Sequence, residues 1–332
     1  FYIALLEKSK DREHNLKKDV EKIPPELRGV WKSIPKVTFN KFSLPIFRLL
    51  IKLMPTPAIP AGVIIEQAQI DTTDGYQLPL RIYKPAEHKK PSPALVWMHG
   101  GGYIFGKLEM EDENLADFVR QLGIVVISVD YRLAPEFPFP TPLEDCYCAL
   151  KWTHEHANDL GTERSRIAIG GASAGGGLAA CLAQLAKDRG EVSTVLQLLV
   201  YPMLDVDTIY KTDVPYESIS TWNNKSNRFG WQSYLQKTFE SPTIPPYSVA
   251  ARRQNLSDLP PTWIGVGDLD LFFEENRTYA ARLKESGVEC ELVVVPGAFH
   301  AFDMKGFEIP ITKEFRNSQI ASLRNHLFGI KR

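Results

Sequence analysis

A serine flanked by glycines is the residue best suited to chemistry in this sequence. Ser173 lies at the centre of Gly171-Ala172-Ser173-Ala174-Gly175, which has the form G-x-S-x-G. An apolar run at residues 167–169 precedes it, and an Ala- and Leu-rich run at residues 178–185 follows. This order predicts a strand, a sharp turn and a helix, the setting that exposes a nucleophilic serine at a helix N-terminus. Taken alone, the pentapeptide is also compatible with a flexible loop.

A run of three glycines upstream supplies a second part of the same chemistry. The predicted buried strand at residues 94–98 ends in His99, and Gly100, Gly101 and Gly102 follow. Glycines at a strand end leave backbone N–H groups free to turn toward a ligand, and acyl transfer needs such donors for its negatively charged oxygen. A flexible loop would explain the glycines, but not a histidine beside them. We therefore predict an oxyanion hole formed by the N–H groups of Gly101, Gly102 and Ala174.

An acid and a histidine follow two strands near the C-terminus. The predicted strand at residues 262–266 is followed by Asp268 and Asp270, and that at residues 291–295 by a loop with His300. An aspartate after a strand is usually a helix cap, and a histidine in an aromatic loop is usually structural. Here, however, the chain order is serine, acid, histidine, the order used by α/β-hydrolases. Three strand-end residues in this order favour a catalytic triad over coincidence.

The sequence resembles the hormone-sensitive-lipase-like branch of the α/β-hydrolases, bacterial esterases that carry His-Gly-Gly-Gly. The motifs that carry the resemblance are His99 to Gly102, Val129-Asp130-Tyr131-Arg132-Leu133-Ala134-Pro135-Glu136, Gly171 to Gly176, Tyr201-Pro202-Met203-Leu204-Asp205 and the loop around His300. The resemblance implies an α/β-hydrolase fold, with a mostly parallel central sheet flanked by helices and a helical cap.

The resemblance also implies a role for each site residue. Ser173 would be the nucleophile, His300 the general base and Asp270 the acid, because Asp270 stands thirty residues before His300, as is usual in the family. Asp268 is the alternative acid. The sequence departs from the family at Ala172, where the family commonly has Asp, and at Leu271, where it usually has Pro.

These features predict a carboxylic-ester hydrolase for short- to medium-chain acyl esters, working through an acyl-enzyme without a metal or organic cofactor. A related hydrolase of amides or thioesters, or a lipase for longer chains, would need the same triad. A binding protein is the alternative of another class: the plant gibberellin receptor has this fold but lacks the catalytic histidine, whereas His300 is present here.

Alternation of strands and helices from about residue 60 predicts one large catalytic domain at residues 58–332. The helical residues 1–57 and an aromatic-rich insertion at about residues 203–250 are expected to form the cap. A membrane-surface helix is the rival interpretation of residues 46–54, which carry Arg48 and Lys52 among apolar side chains.

The composition of the chain narrows the classes of binding partner and the cellular location that we expect. The net charge of −1 argues against nucleic acid and anionic membranes as partners. No apolar run is long enough for stable membrane insertion. The four cysteines show no disulfide or metal pattern, which predicts free buried thiols and a cytoplasmic location. We expect a small-molecule ester as the partner and allow for a homodimer. The start at Phe1 leaves open whether a segment has been removed.

Overall fold

An eight-stranded sheet forms the centre of the protein. The computed structural model describes residues 16, 18–55, 58–59, 61–211, 216–241 and 243–329. The strands are β1 (Val63–Asp71), β2 (Gln77–Pro85), β3 (Ser92–Met98), β4 (Val125–Val129), β5 (Thr162–Ala172), β6 (Gln197–Val200), β7 (Thr262–Gly267) and β8 (Cys290–Val295). Their order in the sheet is β1-β2-β4-β3-β5-β6-β7-β8. Only the pairings of β2 with β1 and β4 are antiparallel, so the predicted mostly parallel sheet is confirmed.

Helices cover both faces of this sheet. Those with both ends in the described ranges are α1 (Arg28–Ser33), α2 (Ser43–Leu53), α3 (Asp112–Leu122), α4 (Thr141–Glu155), α5 (Ala157–Leu160), α6 (Ala174–Arg189), α7 (Asn224–Leu235), α8 (Phe273–Glu285) and α9 (Pro310–Phe328). Residues 18–22 are helical as well. Short 3₁₀ turns occupy Pro25–Leu27, Leu108–Glu111, Val206–Tyr210, Glu217–Ile219, Gln236–Thr238 and Ala250–Arg252. None of the helices in the described part of the chain combines the length and apolar character needed to cross a membrane.

The two faces of the sheet carry separate hydrophobic cores. In β3, every residue is buried, and alternate side chains enter opposite cores: Val96 and Met98 one, Leu95 and Trp97 the other. This follows from the two-residue period of a strand, and it explains why the parallel strands read as continuous apolar runs. Because such strands are held on both sides, the loops at their carboxyl ends start from fixed positions.

One helix boundary and two cysteines differ from the sequence-based expectation. The sequence predicts a helix from Leu143, after the proline-rich residues 135–142, but α4 begins at Thr141. Pro142 fits the first helical turn, where no intrahelical N–H is needed. All four cysteines are free, but only Cys146 and Cys181 are fully buried; Cys148 and Cys290 are half-buried. The predicted amphipathic segment around Ile3 and Leu6 lies outside the described residues.

The segments expected to form a cap contact the glycine loop. Between β6 and β7, the insertion contains α7 and short 3₁₀ turns, and its Trp231 and Tyr234 pack on Tyr103, with ring centroids 5.3 and 4.2 Å away. From the N-terminal side, Phe39 and Phe47 pack on Phe105 at 4.8 and 4.9 Å. Most of the insertion's aromatic side chains therefore belong to a packed interior.

Candidate active site

Ser173 occupies the sharp turn between β5 and α6. Its backbone has φ 57° and ψ −119°, a strained conformation for a residue with a side chain. Three backbone hydrogen bonds hold this turn: Ser173 N–H donates to Val200 O at 2.9 Å, and Ser173 O accepts from Met203 at 2.9 Å and Gly177 at 3.0 Å. The strain is thus offset by β6 and the loop after it, which fix the serine hydroxyl at the N-terminus of α6.

The glycines around Ser173 are required by close packing of the backbone. A Cβ on Gly171 would lie 2.4 Å from the carbonyl oxygen of Gly175, and a Cβ on Gly175 would lie 2.1 Å from that of Met98. Real Cβ atoms do not approach so closely. The G-x-S-x-G pattern therefore reflects contact of the turn with itself and with the end of β3.

The structure brings Ser173, His300 and Asp270 into one hydrogen-bonded chain. The His300 Nε2 and Ser173 Oγ atoms are 2.9 Å apart, and His300 Nδ1 and Asp270 Oδ2 are 2.7 Å apart. With the proton on Nδ1, His300 donates to Asp270 and accepts from the serine hydroxyl. Relative exposures are 6% for Ser173, 6% for His300 and 7% for Asp270, so water screens these contacts little.

The two candidate acids have different partners. Asp270 also accepts a hydrogen bond from the Phe272 N–H through Oδ1 at 2.9 Å, so both of its oxygens are used. Asp268 accepts from the Gly297 N–H at 2.7 Å. The structure therefore places Asp270 against His300, while Asp268 ties the loop after β7 to the loop after β8.

His300 is further held by its surroundings. The rings of Tyr201 and Phe272 meet the imidazole edge-on, at centroid distances of 4.8 and 5.1 Å. The Thr221 hydroxyl in the insertion donates to the carbonyl of His300 at 2.6 Å. Packing on two sides and an anchored backbone limit the ring to the orientation that faces Ser173.

The glycine loop passes directly beside the serine. An ideal Cβ on Gly100 would lie 3.4 Å from Ser173 Cβ. Gly101, with φ 125°, is in a conformation open to glycine alone, and its carbonyl accepts from the N–H groups of Ile104 and Phe105, both at 3.0 Å. Within the described residues, the N–H groups of Gly101, Gly102 and Ala174 have no hydrogen-bond acceptor. Unsatisfied N–H groups beside a serine are suited to receive an anionic oxygen.

His99 shapes this loop rather than facing the serine. Its ring stacks on Tyr131 with centroids 4.4 Å apart, and its Nδ1 lies 2.7 Å from Gly100 O. The Tyr131 hydroxyl donates to the carbonyl of His99 at 2.7 Å. Burial lowers the pKa of His99 to about 4, so the ring is neutral at pH 7 and serves as a rigid support.

Two carboxyl groups behind the site, the buried Asp303 and the half-buried Glu111, were not found by sequence reasoning. Asp303 accepts from the Tyr201 hydroxyl at 2.7 Å, and burial raises the pKa of Asp303. Burial, together with repulsion from Asp303, raises the pKa of Glu111 to about 7. Tyr201 has an unusual φ of 34° and begins the segment Tyr201-Pro202-Met203-Leu204-Asp205, but no neighbouring residue indicates its partner. Asp303 therefore holds the Tyr201 ring that packs on His300.

Glu275 is another buried carboxyl group that the sequence did not single out. It accepts hydrogen bonds from the N–H groups of Leu204 and Asp205 at 2.7 and 3.3 Å, and from the Thr208 hydroxyl. Burial raises the pKa of Glu275 to about 8. Glu275 therefore links α8, which follows Asp270, to the loop after β6 that holds the serine turn.

Comparison with known proteins places this geometry in a family. A family model described as the alpha/beta hydrolase fold matches residues 95–304. The carboxylesterase NlhH of Mycobacterium tuberculosis is 32% identical over 310 residues, which are 92% of this chain and 96% of that protein. An ethyl acetate hydrolase of Pseudomonas putida is 31% identical over 266 residues, which are 79% of this chain and 83% of that protein.

Solved structures agree with the sequence matches. The structure of a bacterial heroin esterase superposes with a TM-score of 0.84 at 33% identity, covering 92% of this chain and 98% of its own. The esterase LipW of Mycobacterium marinum gives a TM-score of 0.83 at 31% identity, and the match covers 93% of this chain and 97% of LipW. The chain therefore belongs to the hormone-sensitive-lipase-like carboxylesterases of the α/β-hydrolase fold.

Proposed function

We propose that this protein hydrolyses small carboxylic esters of short to medium acyl chain length, with Ser173 as nucleophile. Ser173 Oγ attacks the ester carbonyl carbon while its proton passes to His300 Nε2. Asp270 accepts the hydrogen bond from Nδ1 and stabilises the imidazolium that forms. The observation that carries this proposal is the pair of hydrogen bonds, 2.9 and 2.7 Å long, that joins the three side chains.

The tetrahedral intermediate carries its negative charge on the former carbonyl oxygen. The N–H groups of Gly101, Gly102 and Ala174 donate to this oxygen, and each donor of this kind lowers the barrier by about 3 kcal/mol. The C–O bond to the alcohol then breaks, and the alcohol leaves with the proton held on His300. No metal or organic cofactor takes part in these steps.

Water completes the cycle. His300 removes a proton from a water molecule, which attacks the acyl carbon bound to Ser173. A second tetrahedral intermediate collapses, His300 returns the proton to the serine oxygen, and the carboxylic acid is released. The same three side chains and the same N–H donors therefore serve both halves of the reaction.

We further propose that residues 1–57 and 203–250 act as a cap that limits substrate length. Support comes from Trp222, which covers Gly102 and packs beside Phe39 and Phe105 at centroid distances of 5.6 and 6.3 Å. A wall of large aromatic rings against the glycine loop favours short acyl groups. The relatives support small esters as well, since one of them is named as an ethyl acetate hydrolase.

A fluorophosphonate probe and a substrate panel test the proposal. The wild-type protein should be labelled by the probe and hydrolyse p-nitrophenyl butyrate. Ser173→Ala should abolish labelling and lower kcat by more than about a thousandfold. Retention of either property by the variant would contradict the role of Ser173. A panel of matched esters, amides and thioesters then separates the esterase from the alternative hydrolases, and absence of all turnover would favour a binding protein.

The cytoplasmic location and the homodimer stay predictions. Free thiols in all four cysteines favour a reducing compartment, and fractionation with an activity assay would test this. Light scattering of the purified chain would give its oligomeric state.

A further inference from the structure

Helix α2 exposes its apolar face to solvent. Its inward side chains, Leu44 and Ile51, are buried against the body of the protein. The outward side chains are large and apolar, with exposed fractions of 74% for Phe42, 64% for Ile46, 56% for Leu49, 57% for Leu50, 71% for Leu53 and 55% for the adjoining Met54. A contiguous apolar surface of this kind marks an interaction site rather than ordinary scattered exposure.

The charge around α2 is as unusual as its exposure. Residues 27–65 contain no Asp or Glu, but they contain Arg28, Lys32, Lys36, Lys41, Arg48 and Lys52. The net charge of −1 for the whole chain conceals this local excess of cations. A basic segment that carries an apolar helix face is typical of helices that lie in a membrane interface.

The lysines nearest the apolar face are available to an anionic partner. Among the described residues, neither Lys41 nor Lys52 forms an ion pair, and both are exposed. Lys41 Nζ stands 5.0 Å from the centroid of the exposed Phe42 ring. Arg48, in contrast, is engaged within the protein, because it pairs with Glu136 at 2.8 Å. The two free lysines therefore flank the apolar face at both ends of α2.

We propose that α2 docks the protein on an anionic lipid surface, with its apolar side chains among the upper acyl chains and Lys41 and Lys52 at the headgroups. Burial of the apolar face would supply the main attraction, and the lysines would make it selective for anionic lipid. This is reversible adsorption by one helix lying in the interface, not insertion across the bilayer.

A second copy of the chain fits this face less well. A two-fold interface would place the same patch against itself, and residues 27–65 contain no acid that could pair with Lys41 or Lys52 of the other copy. Glu109, Asp130 and Glu136 from other segments lie in a pocket beside Lys52, and Glu136 is already paired with Arg48. Like charges in contact oppose such a pairing. An anionic lipid surface, in contrast, complements both the apolar side chains and the lysines.

Docking through α2 would bring the glycine loop close to the membrane. Arg48 Nε in α2 donates to the carbonyl of Ile104 at 2.7 Å, and its Nη2 donates to Ala134 O at 2.6 Å. The loop therefore lies directly beneath α2, within one helix diameter, about 10 Å, of the lipid headgroups. Adsorption through α2 depends on its exposed apolar side chains and its lysines, and it does not require Ser173 or hydrolysis.

Vesicle sedimentation with the full chain tests the apolar part of the proposal. Wild-type protein should bind vesicles of phosphatidylcholine mixed with phosphatidylserine. Leu49→Gln/Leu53→Gln should bind at least about tenfold more weakly, because two exposed leucines no longer enter the acyl region. The matched control is Ile64→Gln/Val294→Gln, which changes two exposed apolar residues away from α2, with exposures of 47% and 39%, and should bind as wild type.

A second variant tests the contribution of the lysines to binding of anionic lipid. Lys41→Gln/Lys52→Gln should lower affinity for the mixed vesicles about tenfold or more, while affinity for pure phosphatidylcholine should change little. Raising the salt concentration should weaken wild-type binding to the mixed vesicles in the same way. Far-ultraviolet circular dichroism and the thermal midpoint would show that each variant is folded.

Three results would overturn the proposal. The first is absence of wild-type binding, or equal binding by the leucine variant. The second is a wild-type dimer that the leucine variant converts to monomer, with no vesicle binding, which would assign the face to a second copy. The third is slow peroxide oxidation of Met54 relative to Met304, 55% and 44% exposed, in monomeric lipid-free protein. Such protection would show that another part of the chain covers α2.

Discussion

The indole of Trp222 lies directly over Gly102. A Cβ built on Gly102 would stand 2.2 Å from the Trp222 ring, closer than any side chain could fit. The insertion between β6 and β7 therefore contacts the proposed oxyanion loop without a gap. Because Thr221, the preceding residue, holds the carbonyl of His300, the same short segment touches both the loop and the histidine.

Gly102→Ala should damage activity much more than stability. The added methyl group would displace either the loop or Trp222, and the N–H donors would leave their positions. We expect kcat/KM for p-nitrophenyl butyrate to fall at least about a hundredfold, the scale of losing one oxyanion donor.

Gly123→Ala is the matched control for this change. Gly123 has φ 67°, close to the 59° of Gly102, but nothing lies within 4 Å of an added Cβ there. It carries a similar backbone strain at the end of α3 without touching the loop. Equal losses of kcat/KM in the two variants would show that strain, and not displacement of the loop, is responsible.

Asp270→Asn and Asp268→Asn should have very different effects. An amide at residue 270 can hold His300 in the wrong tautomer and cannot stabilise its imidazolium, so kcat should fall by about a thousandfold or more. An amide at residue 268 still presents an oxygen to the Gly297 N–H, so kcat should fall less than about tenfold. Steady-state kinetics on one ester decides this, and a larger loss at residue 268 would reverse the assignment of the acid.

Residues that follow strands could be found from the sequence because their signals are local. Ser173, Asp270 and His300 each stand a few positions after an apolar run, and parallel strands bring such loops to one edge of the sheet. The glycines beside Ser173 could also be identified from the sequence, because a tight turn of this kind needs glycine wherever it occurs.

Contacts between distant segments could not be read in this way. Tyr201 and Asp303 are 102 residues apart, and Glu275 is 71 residues from Leu204, whose N–H it binds. No periodicity or spacing records such pairs, because each residue meets its partner only once the strands between them are in place. The same holds for Trp222 over Gly102, where the sequence predicts an aromatic cluster but not which ring faces the loop.

Glu275 predicts a dependence of stability on pH. Its pKa is about 8 in the folded protein and about 4.3 in an unfolded chain, so the folded state binds this proton more tightly. Between these two values the unfolded chain has already lost the proton, and the free energy of unfolding therefore falls as pH rises. Glu275→Gln keeps an oxygen for the N–H groups of Leu204 and Asp205 but removes the titration.

Urea unfolding at about pH 5 and about pH 9 measures this effect. Relative to Glu275→Gln, the wild type should lose at least about 1 kcal/mol of stability across this interval. Glu274→Gln is the control: Glu274 is exposed on the same helix and pairs with Arg277, so this variant should follow the wild type. Parallel pH profiles for wild type and Glu275→Gln would mean that Glu275 is not buried as its contacts imply.

Trp222→Ala should extend the range of acyl chains that the enzyme accepts. In a series of p-nitrophenyl esters, wild-type kcat/KM should peak between butyrate and octanoate, rising by up to about 0.8 kcal/mol, roughly fourfold, for each methylene that finds a buried place. Beyond the peak, each methylene must stay in water or displace packed side chains, so palmitate should be a poor substrate.

Removing the indole in Trp222→Ala opens space beside Gly102, which should move the maximum to longer chains. Trp152→Ala is the control, since Trp152 in α4 stacks on His156, just beyond the end of that helix, and not on the glycine loop. An unchanged profile in Trp222→Ala would place the end of the acyl pocket elsewhere, and a wild-type maximum at palmitate would favour a lipase.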